Sequence, residues 1–111
     1  MTPSERAARI RSLNDAFRQG ALAGRVLITQ GVLGLLSPVR CKILEAISGE
    51  LSPDPANDPY GEHDFGALTI DGNTVFWKID YYDASYESAA EDPANPLTCG
   101  RVLTIMLAEE Y

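Results

Sequence analysis

GEHDFGALTIDGNTVFWKIDYYD, residues 61–83, decides how the rest of the chain is read. Two runs rich in aliphatic, β-branched and aromatic residues flank Asp71-Gly72. A type I′ turn needs positive φ at both central positions, and Asp-Gly supplies it at low steric cost. The spacing therefore predicts a β-hairpin with arms at residues 63–70 and 74–82. A two-residue loop pairs Ile70 with Asn73, Leu68 with Val75, Gly66 with Trp77 and Asp64 with Ile79. On the other parity it pairs Thr69 with Thr74, Ala67 with Phe76, Phe65 with Lys78 and His63 with Asp80. Side chains alternate along a strand, so each set belongs to one face. Leu68, Val75, Trp77 and Ile79 read as core, with Gly66 leaving room for the indole. His63, Phe65, Phe76, Lys78, Asp80 and Tyr82 share the opposite face, away from Trp77. Three aromatic rings are many for a plain wet surface, and an acid and a base are costly in a dry one. That face is expected to be a groove edge or a partner-binding surface.

Upstream, Thr2-Pro3-Ser4-Glu5 has the form of a capping box with proline at the first helical position. Ile10, Leu13 and Phe17 then recur at helical spacing, and Gly20 is the expected stop. Residues 25–30, RVLITQ, form a β-branched and aliphatic run between Gly24 and Gly31 and predict a strand. Ser37-Pro38 opens a second helix with Ile43, Leu44 and Ile47 on its apolar face and Gly49 at its end. Residues 50–60 hold Pro53, Pro55 and Pro59 and read as a stiff loop. A second loop is expected over 84–100. Residues 101–107, RVLTIML, are apolar on both parities, which fits a central strand, with a helix over 102–110 as the alternative.

The chain has 111 residues, and one domain spanning 1–111 is expected. No stretch approaches the roughly 20 apolar residues of a membrane span, and MTPSERAARIR lacks the apolar segment of a secretory signal. Cys41 and Cys99 are isolated, so two reduced thiols of a cytoplasmic protein are expected in place of a disulfide or zinc site. The net charge of -7 is unevenly placed. Residues 48–111 carry two bases, Lys78 and Arg101, against thirteen acids. Residues 1–47 carry seven bases and three acids. The acidic part repels nucleic acid and attracts basic protein surfaces. The arginines of the first helix lack interleaved aromatics, so direct nucleic-acid binding is not expected.

His63 beside Asp80, helped by Glu62, Asp64 or Asp83, has the residue types for acid–base work or for a hard cation. The bland reading is a cross-strand ion pair. One histidine, no HExxH spacing and no Gly-rich phosphate loop leave no cofactor or resident metal to expect. Asp64-Phe65-Gly66 spells a kinase triplet in a chain that holds nothing else of a kinase. Tyr60, Tyr81, Tyr82 and Tyr86 among Asp58, Asp80, Asp83 and Glu87 give aromatic anchors in an anionic field, which suits protein binding.

GEHDFG (61–66), FWKIDYYD (76–83), Glu91-Asp92-Pro93 and RVLTIMLAEEY (101–111) resemble a small bacterial family catalogued as a domain of unknown function. LNDAFR (13–18) is similar to its N-terminal helix, whereas residues 31–60 match less clearly. The resemblance implies a cytoplasmic proteobacterial protein, carried on mobile elements near genes that counter host defence. It thereby suggests an inhibitor of a restriction or CRISPR system. It carries over no catalytic residue; Glu62, His63, Asp64, Lys78, Asp80, Tyr81 and Tyr82 fall inside the signature.

The expected fold is α+β, two helices on one side of a small, mainly antiparallel sheet that contains the 63–82 hairpin. The expected function is that of a small acidic protein-binding module, an anti-defence inhibitor that blocks a basic nucleic-acid-binding surface. Asp58, Tyr60, Glu62, His63, Lys78, Asp80, Tyr82, Asp83 and Glu87 are its candidate binding residues. A host or defence-system protein with a basic surface is the expected partner, met by a monomer or a homodimer. A small metal-assisted hydrolase or lyase centred on His63 and Asp80 is the alternative.

Overall fold

The computed structural model describes residues 1–49 and 53–111; residues 50–52 of the expected 50–60 loop lie outside the described residues. Helices α1 (Pro3–Arg18), α2 (Gln30–Leu33) and α3 (Ser37–Ser48) accompany strands β1 (Arg25–Ile28), β2 (Phe65–Ile70), β3 (Asn73–Asp83) and β4 (Cys99–Leu107). A 3-10 turn, Ala108–Glu110, follows β4. The fold is α+β, with sheet order β1-β4-β3-β2. β1 runs parallel to β4, while β4–β3 and β3–β2 are antiparallel.

Helix α1 begins where its sequence says it should. The Thr2 hydroxyl accepts from Glu5 N at 3.2 Å, and Glu5 Oε1 accepts from Thr2 N at 3.3 Å. This reciprocal pair satisfies two donors that a helix start leaves open. Helix α3 starts at Ser37-Pro38 and ends at Gly49, but Ser37 is already helical: Leu36 is the N-cap and no side chain caps the start. The short α2, which periodicity did not single out, puts Val32 into the core. Residues 102–107 lie in strand β4, and the helical alternative survives only as the 3-10 turn at 108–110.

The hairpin forms in the expected register, from Phe65 opposite Lys78 to Ile70 opposite Asn73. Asp71 and Gly72 have φ of 49° and 81°, as a type I′ turn requires. Val75, Trp77 and Ile79 pack with Leu103 and Ile105 of β4 against Phe17, Val32, Ile43 and Ile47 from the three helices. All three helices therefore cover one side of the sheet. Among the described residues no α-helix lies over the opposite side, with Phe65, Phe76, Lys78, Asp80 and Tyr82.

Trp77 is 1% exposed and sits against Gly66, where an added Cβ would come within 2.5 Å of the indole. The ring is wedged between sheet and helices, with the Arg18 guanidinium 5.2 Å from its centre. Replacing Gly66 by Ala is therefore expected to overpack the core and cost about 1–3 kcal/mol. Urea unfolding of Gly66→Ala beside the parent protein checks this.

Candidate functional site

The helix-free face of the sheet is built by strand parity. Phe76, Lys78, Asp80 and Tyr82 project from β3, opposite Met106, Thr104, Val102 and Gly100 of β4. Phe65 and Ala67 extend the face onto β2. Lys78 Nζ and Asp80 Oδ2 pair at 3.0 Å, with both side chains about two-fifths exposed. The charge expected on this face is thus present and locally neutralised.

Aromatic residues close both ends of the face. The Tyr111 ring meets Phe65 and Phe76 at centroid distances of 5.9 and 5.6 Å, while Phe65 and Phe76 lie 5.4 Å apart. Such tilted and edge-on contacts suit the ring quadrupoles. At the other end the Arg25 guanidinium stacks 3.8 Å from the centre of the Tyr86 ring. Tyr86 fills the space above Gly100, where a Cβ would meet its ring at 2.7 Å.

His63 does not join this face. The ladder ends at Asp64, whose carbonyl accepts from Ile79 N at 2.8 Å. His63 then takes φ of 55°, and its ring turns to the helix-covered side. There Nδ1 lies 2.8 Å from Asp15 Oδ1, and Nε2 lies 3.8 Å from Asp58 Oδ2. The same Asp15 oxygen accepts from Arg18, the residue stacked on Trp77. His63 and Trp77 thus share one side, against the parity reading, and the expected His63–Asp80 pair is not formed. A hydrolase centred on that pair loses its geometric basis. Among the described residues no group of three or more His, Cys, Asp and Glu side chains is arranged to hold a metal ion.

The cause lies in Asp58. Its side chain is buried, and Oδ1 accepts from Glu62 N at 3.0 Å and from His63 N at 3.2 Å. This clamp closes the 58–63 turn, and Arg11 adds a bond to Gly61 O at 2.9 Å. Asp58 is therefore an internal clamp and not an exposed steering charge. Tyr60 is 78% exposed and lines a shallow groove along α1 with Arg6, Ile10 and Glu62. The candidate binding residues accordingly fall in three places. Lys78, Asp80 and Tyr82 lie on the helix-free face, Asp83 and Glu87 on the turn beyond it, and Tyr60, Glu62 and His63 with Asp58 near α1.

A buried polar chain links the two ends of the sequence. Asn14 is fully buried; its Nδ2 donates to Glu62 O at 2.9 Å and to Tyr81 Oη at 2.8 Å. Its Oδ1 accepts from Arg101 Nε at 2.8 Å. Arg101, 1% exposed, also donates to Pro93 O at 2.5 Å and lies 5.3 Å from the Tyr81 ring. Asp92 meets Arg6 at 3.1 Å. Glu91-Asp92-Pro93 therefore fastens the 84–98 loop to β4 and to α1. Asn14, Asp15 and Arg101 escaped the sequence reading because their partners lie about 50 to 90 residues away in the chain. A polar Asn14 on the stripe side of an amphipathic helix was the one available signal.

The turn after β3 is organised by Asp83. Its Oδ1 accepts from Ser85 Oγ at 2.8 Å and Glu87 N at 3.0 Å, which holds its carboxyl below the usual range. Glu62 and Asp64 behave oppositely: burial, then neighbouring carboxylates for Glu62, push their pKa values up. Burial also pushes the Cys99 thiol up, which disfavours it as a nucleophile.

The chain belongs to the family described as "Protein of unknown function (DUF3768)", whose pattern matches residues 28–110. The match includes residues 31–60 and the hairpin, and leaves residues 13–18 outside it. No curated protein and no solved structure matches the chain.

A carboxyl whose pKa is raised by folding binds protons more tightly when folded, so its ionisation weakens the fold as pH rises. Glu62→Gln is therefore expected to raise the melting temperature at neutral pH. The gain should vanish below the unfolded value of 4.5. Thermal melts of both proteins across that range check the sign.

Proposed function

We propose that this family member is a non-enzymatic binding module that uses the helix-free sheet face, with the Asp83–Glu87 turn as an acidic rim, to hold a protein with a basic surface. The observation that carries this reading is how the bases of the acidic part are spent. Of its two, Arg101 is buried and Lys78 is paired with Asp80. Asp83 and Glu87 lie on a turn at one end of the face, with the Tyr82 ring beside them and the Phe65–Phe76–Tyr111 cluster at the other end. Aromatic anchors supply contact energy, and the acidic rim accelerates encounter with a positive partner.

The finer reading is that the partner is a defence-system protein of the host and that the acidic surface occupies its nucleic-acid site. The charge of residues 48–111 supports it, as does the family resemblance with its mobile-element setting. The acting residues are Lys78, Asp80, Tyr82, Asp83 and Glu87, with Tyr60 and Glu62 as a second contact along α1. On this reading the protein acts in the bacterial cytoplasm.

Capture from host lysate on immobilised protein, at low and at high salt, tests the module. A specific basic partner retained at low salt and lost at high salt is the expected result. Reversing the rim charge whose side chain holds no part of the turn, Glu87→Lys, should slow association severalfold while the melting temperature changes little. Retention that ignores both salt and the reversed rim contradicts the reading, as does restriction of phage or plasmid that expression of the protein leaves unchanged.

A further inference from the structure

Strand β1 is an edge strand, paired with β4 on one side. Among the described residues no strand pairs with its outer edge, and Arg25, Val26 and Leu27 are all exposed. Val26 and Leu27 are 53% and 55% exposed although they point to opposite faces of the sheet. An edge that shows apolar side chains on both faces, with free backbone donors and acceptors, is a template for strand addition.

The ladder fixes which backbone groups are free. Thr29 N donates to Ile105 O at 3.1 Å, so Arg25, Leu27 and Thr29 turn their backbone groups towards β4. Val26 and Ile28 turn theirs outward. We infer that the outer edge of β1 pairs antiparallel with β1 of a second copy, about a two-fold axis that passes midway between Leu27 and its equivalent. A two-fold axis perpendicular to the sheet keeps each side chain on its own face. Val26 then lies opposite Ile28 of the second copy, and the reverse, which uses every outward backbone group of both strands. Leu27 meets its own equivalent at a non-hydrogen-bonded position.

Charge complementarity favours a second copy as the occupant. In this register Arg25 comes opposite Thr29 of the second copy. The Thr29 hydroxyl donates to Glu110 Oε1 at 2.6 Å, and Gly31 N donates to Glu110 Oε2 at 3.1 Å, so a fixed carboxylate waits at that spot. The two-fold repeats the arrangement, and at each end of the paired strands Arg25, stacked on Tyr86 in the single chain, turns its guanidinium to that carboxylate. No like charges come opposite one another. The two helix-free faces become one continuous surface.

Position-specific crosslinking of the full chain tests this, in a background with Cys41→Ser and Cys99→Ser. At a non-hydrogen-bonded pair the Cα atoms stand about 4.5 Å apart, within reach of a disulfide. Leu27→Cys is expected to oxidise to a disulfide-linked dimer. Val26→Cys, whose equivalents stand about 7–8 Å apart on the diagonal, is expected not to. Sedimentation of the unmodified chain should show a concentration-dependent dimer. Val26→Pro, which removes an outward N–H and no bond to β4, should abolish it with an unchanged far-ultraviolet spectrum; Leu27→Lys should do the same. A chain that sediments as a monomer at every concentration overturns the inference. So does a dimer that survives Val26→Pro and Leu27→Lys, or crosslinking at position 26 in preference to 27.

Discussion

The reversal at Asp71-Gly72 is the constraint on which the molecule depends. Two consecutive residues at positive φ turn β2 back on β3 with no residue to spare, and the pleat does the rest. A slip of one residue would take Trp77 out of the helix-covered core and send Lys78 and Asp80 into it. The indole fits because Gly66 stands opposite, so the turn, the register and the core are one decision made over thirteen residues, 66–78. β4 inherits the same faces from β3. Its apolar residues on both parities are explained by helices below and by Tyr86 and Tyr111 packed at the ends above.

Much of this was legible before any coordinates. The capping box of α1, the Ser37-Pro38 start of α3 and the hairpin register are all local, and local chemistry is what a sequence displays. His63 shows where that legibility stops. Strand parity put it beside Asp80, but parity holds only while the backbone stays extended. Asp58, five residues earlier, binds the backbone of Glu62 and His63 and twists the chain out of the strand at that point. Nothing in the residue pattern distinguishes an aspartate that clamps a turn from one that faces water. The buried Asn14–Arg101–Pro93 chain was hidden for a related reason: its members meet only after the sheet and α1 have packed.

Several residues that looked like a charged surface are internal fittings: Asp58 clamps a turn, Asp15 holds His63 and Arg18, and Arg101 is sealed under Tyr81. What is left outside is simpler. One face of the sheet carries rings and a neutralised Lys78–Asp80 pair, the turn at its margin carries acids, and one edge carries apolar side chains with open backbone. Rings and an acidic margin on such a surface are what the proposed binding role draws on.

The division of side chains between the two sides of the sheet is the centre of the account, and proton–proton proximities in solution measure it directly. Nuclear Overhauser spectra should connect the His63 ring to the side chain of Asp15, and the Tyr111 ring to those of Phe65 and Phe76. Cross-peaks from His63 to Asp80 or Phe76, with none to Asp15, would place the imidazole on the helix-free face and contradict the assignment of sides.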